Sequence, residues 1–201
     1  MVFGNGRHHR RSIRLKGYDY AQAGAYFITV CTKDRACLFG DVVDGEMRSN
    51  EFGQIAEWTW HDLPNHVPAI VLDTFVIMPN HVHGIILICE RDALTVGAGS
   101  EPAPTEPACT TIGKHHGLPE IIRQFKTFSA KRINKIRETP GLPVWQRNYY
   151  EHIIRNEESL HRIRQYIVGN PARWEEDREN PQAVGAVRER PLPEPEGLWL
   201  A

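Results

Sequence analysis

Three stretches of the chain combine apolar, β-branched and aromatic residues, and each predicts a β-strand. They cover residues 25–32, 71–78 and 82–89. The second and third stretches are separated by little more than a Pro79-Asn80 pair, which favours a turn. We therefore expect these two strands to form a β-hairpin, with the start of the third stretch next to its turn.

Three further segments repeat apolar residues at helical spacing. The first follows Asn50, whose side chain can cap a helix, and Pro64 ends it. The second covers residues 119–137, and the third runs from the capping residue Asn156 to a stop before Pro171. The apolar faces are Phe52, Ile55, Ala56, Thr59 and Leu63; Ile121, Ile122, Phe125, Phe128, Ile133 and Ile136; and Leu160, Ile163 and Ile167.

The predicted order of elements is strand, helix, β-hairpin, helix, strand and helix. The last strand falls within an extended segment at residues 144–154, and a minor hairpin after the first strand turns at Asp44-Gly45. This order is typical of an α+β fold of the ferredoxin-like or RRM-like type. We therefore expect one antiparallel sheet with helices mainly on one face, and a C-terminal helix that carries Tyr166.

The length of 201 residues suits one domain with a real core. We assign this domain to residues 18–174. A basic arm precedes it at residues 1–17, and an acidic, proline-rich tail follows at residues 175–201. Residues 91–117 are dominated by Gly, Ala, Pro, Ser and Thr and show little hydrophobic periodicity, which predicts a flexible insertion loop.

Hydropathy and cysteine usage bear on the location of the protein. No run approaches the roughly 18 apolar residues of a membrane span, and the basic N-terminus lacks the apolar stretch of a secretory signal. The four cysteines (Cys31, Cys37, Cys89 and Cys109) form no Cys-x-x-Cys pair. We therefore expect a cytoplasmic, reduced protein with no membrane partner and no cysteine-built zinc site.

The net charge of −1 conceals an uneven distribution of charge. Residues 7–16 carry five basic side chains and no acid, and residues 113–137 carry seven basic side chains against Glu120 alone. Residues 174–201 carry seven acids and three arginines. This asymmetry suits a polyanion such as DNA, and a solvated helix face with an acidic tail is the alternative. The predicted DNA contacts are Arg10, Arg11, Arg123, Lys126, Lys131, Arg132 and Arg147.

His81 and His83 form the most informative short motif of the chain. On a strand, residues two apart point to the same face and lie about 6.6–6.8 Å apart along the backbone. Two imidazoles so placed can bind one metal ion. The pair alone is weak evidence, because ten histidines among 201 residues give about even odds of one accidental His-x-His. A surface or hydrogen-bonded pair is the alternative.

The last predicted helix carries side chains that would complete such a site. Tyr166 lies at the edge of its apolar stripe, and Asn170 follows four residues later. Pro171 biases Asn170 out of the helical region, which places this amide at the helix C-terminus and makes a plain helix cap the alternative. If the helix crosses the hairpin turn, a tyrosine, an amide oxygen and two histidines form one compact site.

Two other tyrosines, Tyr149 and Tyr150, compete with Tyr166 as a nucleophile. They lie in the extended segment with Trp145, where aromatic packing or base stacking is the more usual role. His152 in the same segment is either a core histidine or a residue that orients a phosphate, and both interpretations stay open.

A tyrosine beside a metal site suits phosphoryl transfer. A free phenol has a pKa near 10 and needs activation at neutral pH. A divalent metal held by His81, His83 and Asn170, predicted to be Mg²⁺ or Mn²⁺, would polarise the scissile phosphate and stabilise the leaving 3′ oxygen. Tyr166 would attack phosphorus and retain the 5′ end covalently, and the freed 3′-hydroxyl could later reverse the step.

Several motifs together resemble a known family. Residues 78–84 (MPNHVHG), 145–155 (WQRNYYEHIIR) and 164–171 (RQYIVGNP) are similar to the single-tyrosine HUH transposases, and in particular to the REP-associated tyrosine transposases. Residues 26–39 resemble the same branch, so the resemblance spans roughly residues 12–180. It implies metal-dependent cleavage and joining of single-stranded DNA, often near hairpins of repetitive extragenic palindromes.

The resemblance also implies individual roles. It assigns metal binding to His81 and His83, a metal contact to Asn170 and the nucleophile to Tyr166. It leaves open the DNA sequence, the possibility of a homodimer, and whether the last helix completes its own active site or that of a partner.

A different class of function fits part of the same pattern. A catalytically silent module could bind single-stranded nucleic acid on an RRM-like sheet, using the basic helix and the aromatic residues without Tyr166 or a metal. A zinc nucleobase deaminase is disfavoured, because that chemistry uses His-x-Glu with Pro-Cys-x-x-Cys and neither motif occurs in the chain.

Overall fold

The structure is a computed structural model, and it describes residues 17–89 and 116–183. The elements in chain order are β1 (Gly24–Cys31), β2 (Gly40–Val43), β3 (Glu46–Ser49), α1 (Glu51–His61), α2 (Leu63–His66), β4 (Ile70–Ile77), β5 (His81–Ile88), α3 (Leu118–Ile136), β6 (Tyr150–Ile154) and α4 (Glu157–Val168). A 3₁₀ helix, Pro171–Glu176, follows α4. Residues 1–16 of the predicted basic arm, and the predicted insertion loop up to residue 115, lie outside the described residues.

Four strands form one antiparallel sheet in the order β4-β5-β1-β6. The central pair, β1 and β5, is in register from Gly24 opposite Ile88 to Cys31 opposite His81. In chain order, helix α1 lies between strands β1 and β4 of the sheet, and helix α3 lies between strands β5 and β6. This is the split βαβ arrangement that the order of elements predicted, and the α+β ferredoxin-like fold is confirmed.

The two faces of the sheet pack against different helices, because successive strand residues point to opposite faces. One face, here called the core face, presents Ile28, Val82 and Ile86 to the apolar sides of α1, α2 and α3. The opposite face, here called the site face, presents Phe27 and Ile85 to α4. Three of the four helices therefore share one face, as predicted, and α4 lies alone on the other.

Local sequence signals account for the helix starts and the minor hairpin. The side chains of Asn50 and Asn156 each accept a hydrogen bond from the backbone N–H three residues ahead (3.0 and 2.8 Å). Both caps were predicted, and each satisfies an amide that a first helical turn leaves unpaired. Strands β2 and β3 connect through Asp44-Gly45, where both residues have positive φ (53° and 75°), as the predicted turn requires.

Three details refine or correct the prediction. Pro64 lies in the first turn of α2, where its missing N–H is tolerated, instead of marking the end of helical structure. Within the predicted extended segment at residues 144–154, strand β6 occupies only Tyr150–Ile154, and Trp145 joins the sheet by an isolated bridge to Thr32. Ile136, predicted to be on the apolar side of α3, is 44% exposed at the helix end.

Asp177 and Glu179 pack against the folded domain, although the sequence assigned them to the tail. Glu179 is 8% exposed, and its backbone carbonyl accepts a hydrogen bond from Asn80 Nδ2 (2.6 Å). Its carboxylate lies 2.7 Å from Arg35 Nε. The folded region therefore continues past residue 174.

The cysteines divide into two groups. Cys31 and Cys37 are free thiols, as expected. Cys89, just after β5, is disulfide-bonded, and the expectation of a reduced thiol there is wrong. The spacing of cysteines along the chain does not predict a disulfide bond, because folding decides which cysteines come close together. Among the described residues, the helices are too short or too polar to cross a membrane.

Candidate active site

His81 and His83 begin β5 and point to the site face. Both side chains are buried, with residue exposures of 0% and 3%. The His81 ring lies near Trp174 of the 3₁₀ helix and the His83 ring near Tyr166 of α4 (centroid distances 6.1 and 5.2 Å). The two Nε2 atoms are 3.1 Å apart, so the imidazoles converge on one point.

Hydrogen bonds at the far side of each ring set the orientation of the histidines. Asn80 donates through Nδ2 to two backbone carbonyls (3.1 and 2.6 Å), so its Oδ1 is the acceptor that faces His81 Nδ1 (2.8 Å). His81 Nδ1 therefore carries the proton and Nε2 keeps its lone pair. Thr29, opposite His83 in the β1–β5 register, places Oγ1 2.8 Å from His83 Nδ1. Such partners fix the tautomer and direction of metal-binding histidines.

Sequence reasoning missed Asn80 and Thr29 as site residues. Asn80 had a signal, because it precedes His81 directly, but it was assigned to the turn alone. Thr29 had no local signal, since it lies 54 residues before His83 and meets it only through strand pairing.

The histidine pair is neutral at pH 7. Burial lowers the pKa of His81 to about 4, and burial together with the neighbouring His81 lowers the pKa of His83 well below its ordinary value. Neutral imidazole is the form that binds metals. His81 Nε2 is unprotonated, so either a proton on His83 Nε2 or a cation bound by both nitrogens accounts for their separation of 3.1 Å.

Tyr166 projects from α4 towards the same point. Its hydroxyl lies 3.3 Å from His83 Nε2, and its ring packs edge-to-face on Phe27 (centroid distance 6.0 Å). Burial raises the pKa of Tyr166 above its ordinary value, and Asp177 adds to the rise. The residue is still 37% exposed, so one edge of the phenol remains open to the surface. The structure thus brings together the tyrosine and the histidine pair that the sequence singled out.

Asn170 lies just beyond the end of α4 and is 2% exposed. Its Nδ2 donates to Asp177 Oδ2 (3.4 Å), and it makes no side-chain capping hydrogen bond to the 3₁₀ helix that follows. Its Oδ1 is buried and has no hydrogen-bond partner within residues 17–89 and 116–183. A buried carbonyl oxygen in this state is unfavourable, and a cation would satisfy it.

Asp177 adds a carboxylate that sequence analysis had placed in the acidic tail. One ligand atom from each of His81, His83 and Asp177 lies within 4.8 Å of the other two. Burial raises the pKa of Asp177 above its ordinary value. The signal that could have found it is its position seven residues after Asn170, close enough for the chain to turn back to the site.

This donor set fits a divalent cation. Two metal–nitrogen bonds of about 2.1 Å at angles of about 90–110° would separate the nitrogens by about 3.0–3.4 Å. The observed separation of the Nε2 atoms is 3.1 Å. The unsatisfied amide oxygen of Asn170 and the carboxylate of Asp177 would offer oxygen ligands to such a cation.

A cleft of about 290 Å³ opens beside Tyr166. Two arginines in its wall, Arg35 and Arg178, both pair with the Glu179 carboxylate (2.7 and 3.2 Å). The lining residues are Thr29, Cys31, Arg35, His83, Gln146, Asn148, Tyr149, Tyr150, Tyr166, Asp177, Arg178 and Glu179. The cleft therefore combines cationic groups, aromatic rings and a phenol, which are the groups that bind single-stranded nucleic acid.

Comparisons with known proteins identify relatives of this chain. No protein-family model matches the chain. A Haemophilus influenzae protein described as uncharacterised is 43% identical over 176 residues, which cover 86% of this chain and 93% of that protein. The chain belongs to the same family as this protein.

Two further relatives carry the name that the motifs suggested. A second H. influenzae protein, provisionally named a REP-associated tyrosine transposase, is 28% identical over 156 residues (77% of this chain and 74% of that protein). The solved structure of a REP-associated tyrosine transposase bound to a REP hairpin aligns with a TM-score of 0.53 at 19% identity, covering 81% of this chain and 74% of the other. The resemblance to the REP-associated tyrosine transposases is confirmed. Fold and similarity together support a transposase-like function.

The basic residues predicted to contact DNA are dispersed over the molecule. Helix α3, which carries Arg123, Lys131 and Arg132, packs on the core face, across the sheet from the histidine pair. Arg123 forms an ion pair with Glu120, and the guanidinium of Arg132 covers the Trp58 ring at 4.5 Å. Lys131 is exposed. The two arginines of the N-terminal arm, Arg10 and Arg11, lie outside the described residues.

Lys126 and Arg147 take different positions from the other basic residues. The Lys126 ammonium donates to three backbone carbonyls of residues 146–148, so it faces the protein and not solvent. Arg147, in the middle of that segment, is exposed and lines a groove beside α3 instead of the cleft at Tyr166.

The remaining aromatic and histidine candidates occupy the same strand region. The Tyr150 ring packs edge-to-face on Phe27 (6.3 Å), and the Lys126 ammonium lies over the Tyr149 ring (5.5 Å). His152 lies opposite Phe27 on β6, and burial lowers its pKa to about 4, so it is neutral at pH 7. These contacts suit the packing or stacking roles that the sequence favoured for the two tyrosines.

Proposed function

We propose that the protein cleaves and rejoins single-stranded DNA at hairpin-forming sequences, through a covalent 5′-phosphotyrosine on Tyr166. The observation that carries this proposal is the position of the Tyr166 hydroxyl. It lies 3.3 Å from His83 Nε2, which in turn lies 3.1 Å from His81 Nε2. A transposase, or a domesticated relative that acts on chromosomal DNA in the cytoplasm, fits this activity.

His81 and His83 would hold a divalent cation, Mg²⁺ or Mn²⁺, with oxygen from Asn170 and Asp177. When bound, such a cation polarises the scissile phosphate and stabilises the leaving oxygen. The protein's own contribution is to keep both imidazoles neutral and fixed, through Asn80 and Thr29, so that their Nε2 atoms remain available.

The chemical step exchanges one phosphate ester for another. The Tyr166 oxygen forms a bond to phosphorus, the bond from phosphorus to the 3′ oxygen breaks, and the 3′ oxygen leaves as a hydroxyl after taking up a proton. The phenol gives up its own proton to water at its exposed side, because His83 Nε2, although only 3.3 Å away, is assigned to the cation. Because the phosphotyrosine retains the ester, a 3′-hydroxyl can reverse the step.

Substrate binding is assigned to the cleft and its rim. Arg35 and Arg178 in the cleft wall are proposed to bind phosphate in exchange for Glu179, and the exposed Arg147 adds positive charge outside the cleft. The aromatic residues of the cleft supply stacking surfaces for bases. Lys131, Arg123 and Arg132 on α3 are proposed to contact DNA that extends beyond the site, together with Arg10 and Arg11.

A covalent-adduct assay tests the proposal. Labelled hairpin DNA with single-stranded flanks is incubated with the protein and Mg²⁺ or Mn²⁺, and the products are separated on a denaturing gel. We expect a protein–DNA adduct from the wild type, none from Tyr166→Phe, and none from His81→Ala. Tyr149→Phe and Tyr150→Phe are matched controls and should still form the adduct.

Two results would overturn the proposal in different ways. An adduct that persists in Tyr166→Phe would assign the nucleophile to another residue. Tight DNA binding by the wild type without an adduct, over a range of hairpins and metals, would favour the catalytically silent binding module.

A further inference from the structure

Residues 146–148 form an irregular segment between α3 and β6 that is held more firmly than its lack of secondary structure suggests. Lys126 Nζ donates to the backbone carbonyls of Gln146 (2.9 Å), Arg147 (3.4 Å) and Asn148 (2.9 Å). An ammonium has three N–H donors, so this contact uses all of them. Burial of Lys126 lowers its pKa to about 8, in keeping with a role inside the protein.

The same segment is also attached to the sheet and to α3. The backbone N–H of Gln146 donates to the Cys31 carbonyl (2.9 Å), at the end of β1. The preceding residue, Trp145, is 7% exposed and donates through Nε1 to Ser129 Oγ of α3 (2.9 Å). The backbone position of the segment is therefore fixed relative to β1, the strand that also carries Thr29 of the site.

The side chains of Gln146 and Asn148 in this segment are available to bind a ligand. Within the described residues, the hydrogen bonds of Gln146 and Asn148 are made by their backbone atoms. Both residues line the cleft that also contains Tyr149, Tyr150 and Tyr166. A carboxamide offers one acceptor and two donors, which is the pattern that pairs with the edges of nucleobases.

We propose that residues 146–148 form a rigid base-recognition segment, in which Gln146 and Asn148 select the nucleobase next to the phosphate that Tyr166 attacks. This inference rests on the proposed function, since it places single-stranded DNA in the cleft. A cleft of about 290 Å³ suits one nucleotide unit and not a duplex. Tyr149 and Tyr150 provide stacking faces, which tolerate any base, so discrimination falls to the two amides. Lys126 is the positioning residue that keeps the segment in place.

The test uses binding and not cleavage, so that it remains informative if the chemistry differs. Tyr166→Phe protein is mixed with hairpin DNA whose flanking single-stranded positions are randomised, and the bound pool is sequenced. We expect enrichment of one base at one flanking position by about tenfold or more. Gln146→Ala or Asn148→Ala should reduce that preference by about fivefold or more while total binding changes little.

Arg147→Ala is the matched control, because Arg147 lies between the two amides and is exposed. Removal of a guanidinium that binds a phosphate should weaken binding to all sequences equally, with the base preference unchanged. The slope of log K against the logarithm of salt concentration should fall in magnitude by about one. Lys126→Gln, checked for folding by circular dichroism, should reduce the base preference as the amide variants do.

The outcomes separate this inference from the proposed function. No base preference in Tyr166→Phe protein, or a preference that survives both amide substitutions, overturns the recognition segment even if the wild type forms its covalent adduct. Loss of preference in the amide variants supports the segment even if no adduct is ever found.

Discussion

His83 and Gly84 are neighbours on β5, yet they belong to two regions of opposite character. His83 points to the site face, where it meets a second imidazole, a threonine hydroxyl and a phenol. Gly84 points to the core face, where the Trp60 ring lies so close that an added Cβ would come within 2.7 Å of Cη2. One strand thus carries a polar, partly unsatisfied site on one side and a close-packed core on the other.

The difference lies in how much apolar surface each face buries. Among the described residues, the cluster on the core face contains 21 buried apolar residues and the cluster on the site face contains six. Burial of apolar area is the main stabilising contribution in folding. We infer that the core face supplies most of the stability, so that the site face can keep groups with unmet hydrogen bonds. Substitutions on the two faces should therefore separate stability from chemistry.

The largest effect on stability is expected for Trp60→Ala. Trp60 is fully buried on the core face, stacked on Phe75 (4.9 Å between centroids) and edge-to-face with Phe125 (5.6 Å). Its removal should lower the free energy of unfolding by about 3–5 kcal/mol. Urea denaturation followed by circular dichroism measures this change.

Trp58→Ala on the same helix is the matched control. Trp58 is 55% exposed, and its described contact is the guanidinium of Arg132 over its ring. That substitution should cost about 0.5–1 kcal/mol. Equal losses for the two tryptophans would contradict the assignment of stability to the buried core face.

The next effect is expected at the histidine pair, and it should appear only when a metal is present. Mn²⁺ at 100 times its dissociation constant should stabilise the wild type by about 2.7 kcal/mol, which for a chain of this size raises Tm by about 5–10 °C. His81→Ala should lose this increase because one of the converging nitrogens is gone. Differential scanning fluorimetry with and without Mn²⁺ measures the shift.

His66→Ala serves as the control for the metal experiment. His66 lies on α2, away from the site face, and pairs with Asp62 at 3.0 Å. It should keep the full response to Mn²⁺. A response that is the same in His81→Ala and in the wild type would place the cation elsewhere.

The fold was predictable from sequence because its signals are local. The caps at Asn50 and Asn156, the turn at Asp44-Gly45 and the apolar stripes each depend on residues within a few positions of one another. The match to the ferredoxin-like plan then follows from the order of elements.

The site was only partly predictable, because contacts such as Thr29–His83 and His83–Tyr166 join distant parts of the chain. The motifs pointed to His81, His83, Tyr166 and Asn170, and the structure brings these four residues together. Thr29 and Asp177 carried no comparable signal, since one depends on strand register and the other on a turn after α4. Lys126 shows the reverse case. Its charge suggested a contact with DNA, whereas in the structure its ammonium donates hydrogen bonds to backbone carbonyls.

A third, intermediate effect is expected for Gly84→Ala. The new methyl group would meet the Trp60 ring, which is buried and cannot move aside as a flexible side chain would. Overpacking of this kind costs about 1–3 kcal/mol. The same urea titration measures the loss, and the Mn²⁺ response should survive because the methyl group lies on the core face. A stability equal to that of the wild type would mean that the core face is less tightly packed than the distances around Trp60 indicate.

The smallest effect concerns the ion pair that ties α4 to the edge strand β4. Arg164 donates to Asp73 through Nε (2.9 Å) and Nη2 (2.5 Å), two residues before Tyr166. The hydrogen bonds from Arg164, supplemented by those from Thr74, lower the pKa of Asp73 to about 2. A carboxyl group with a lowered pKa stabilises the folded state above its unfolded pKa of about 4, and this contribution disappears as the pH falls through about 2.

Asp73→Asn should therefore cost about 1–2 kcal/mol at pH 7, a value that allows for the 43% exposure of the Arg164 side chain. The difference from the wild type should shrink as the pH is lowered from 4 towards 2, because the wild-type carboxylate is then protonated as well. Glu158→Gln, which removes an exposed ion pair with Arg162 on the same helix, should change stability by less than about 0.5 kcal/mol at any of these pH values.

Since the Asp73–Arg164 pair holds the helix that carries Tyr166, Asp73→Asn should also slow adduct formation at pH 7 without weakening DNA binding. If the stability difference were independent of pH between 7 and 2, the Asp73 charge would not be what attaches α4 to the site face.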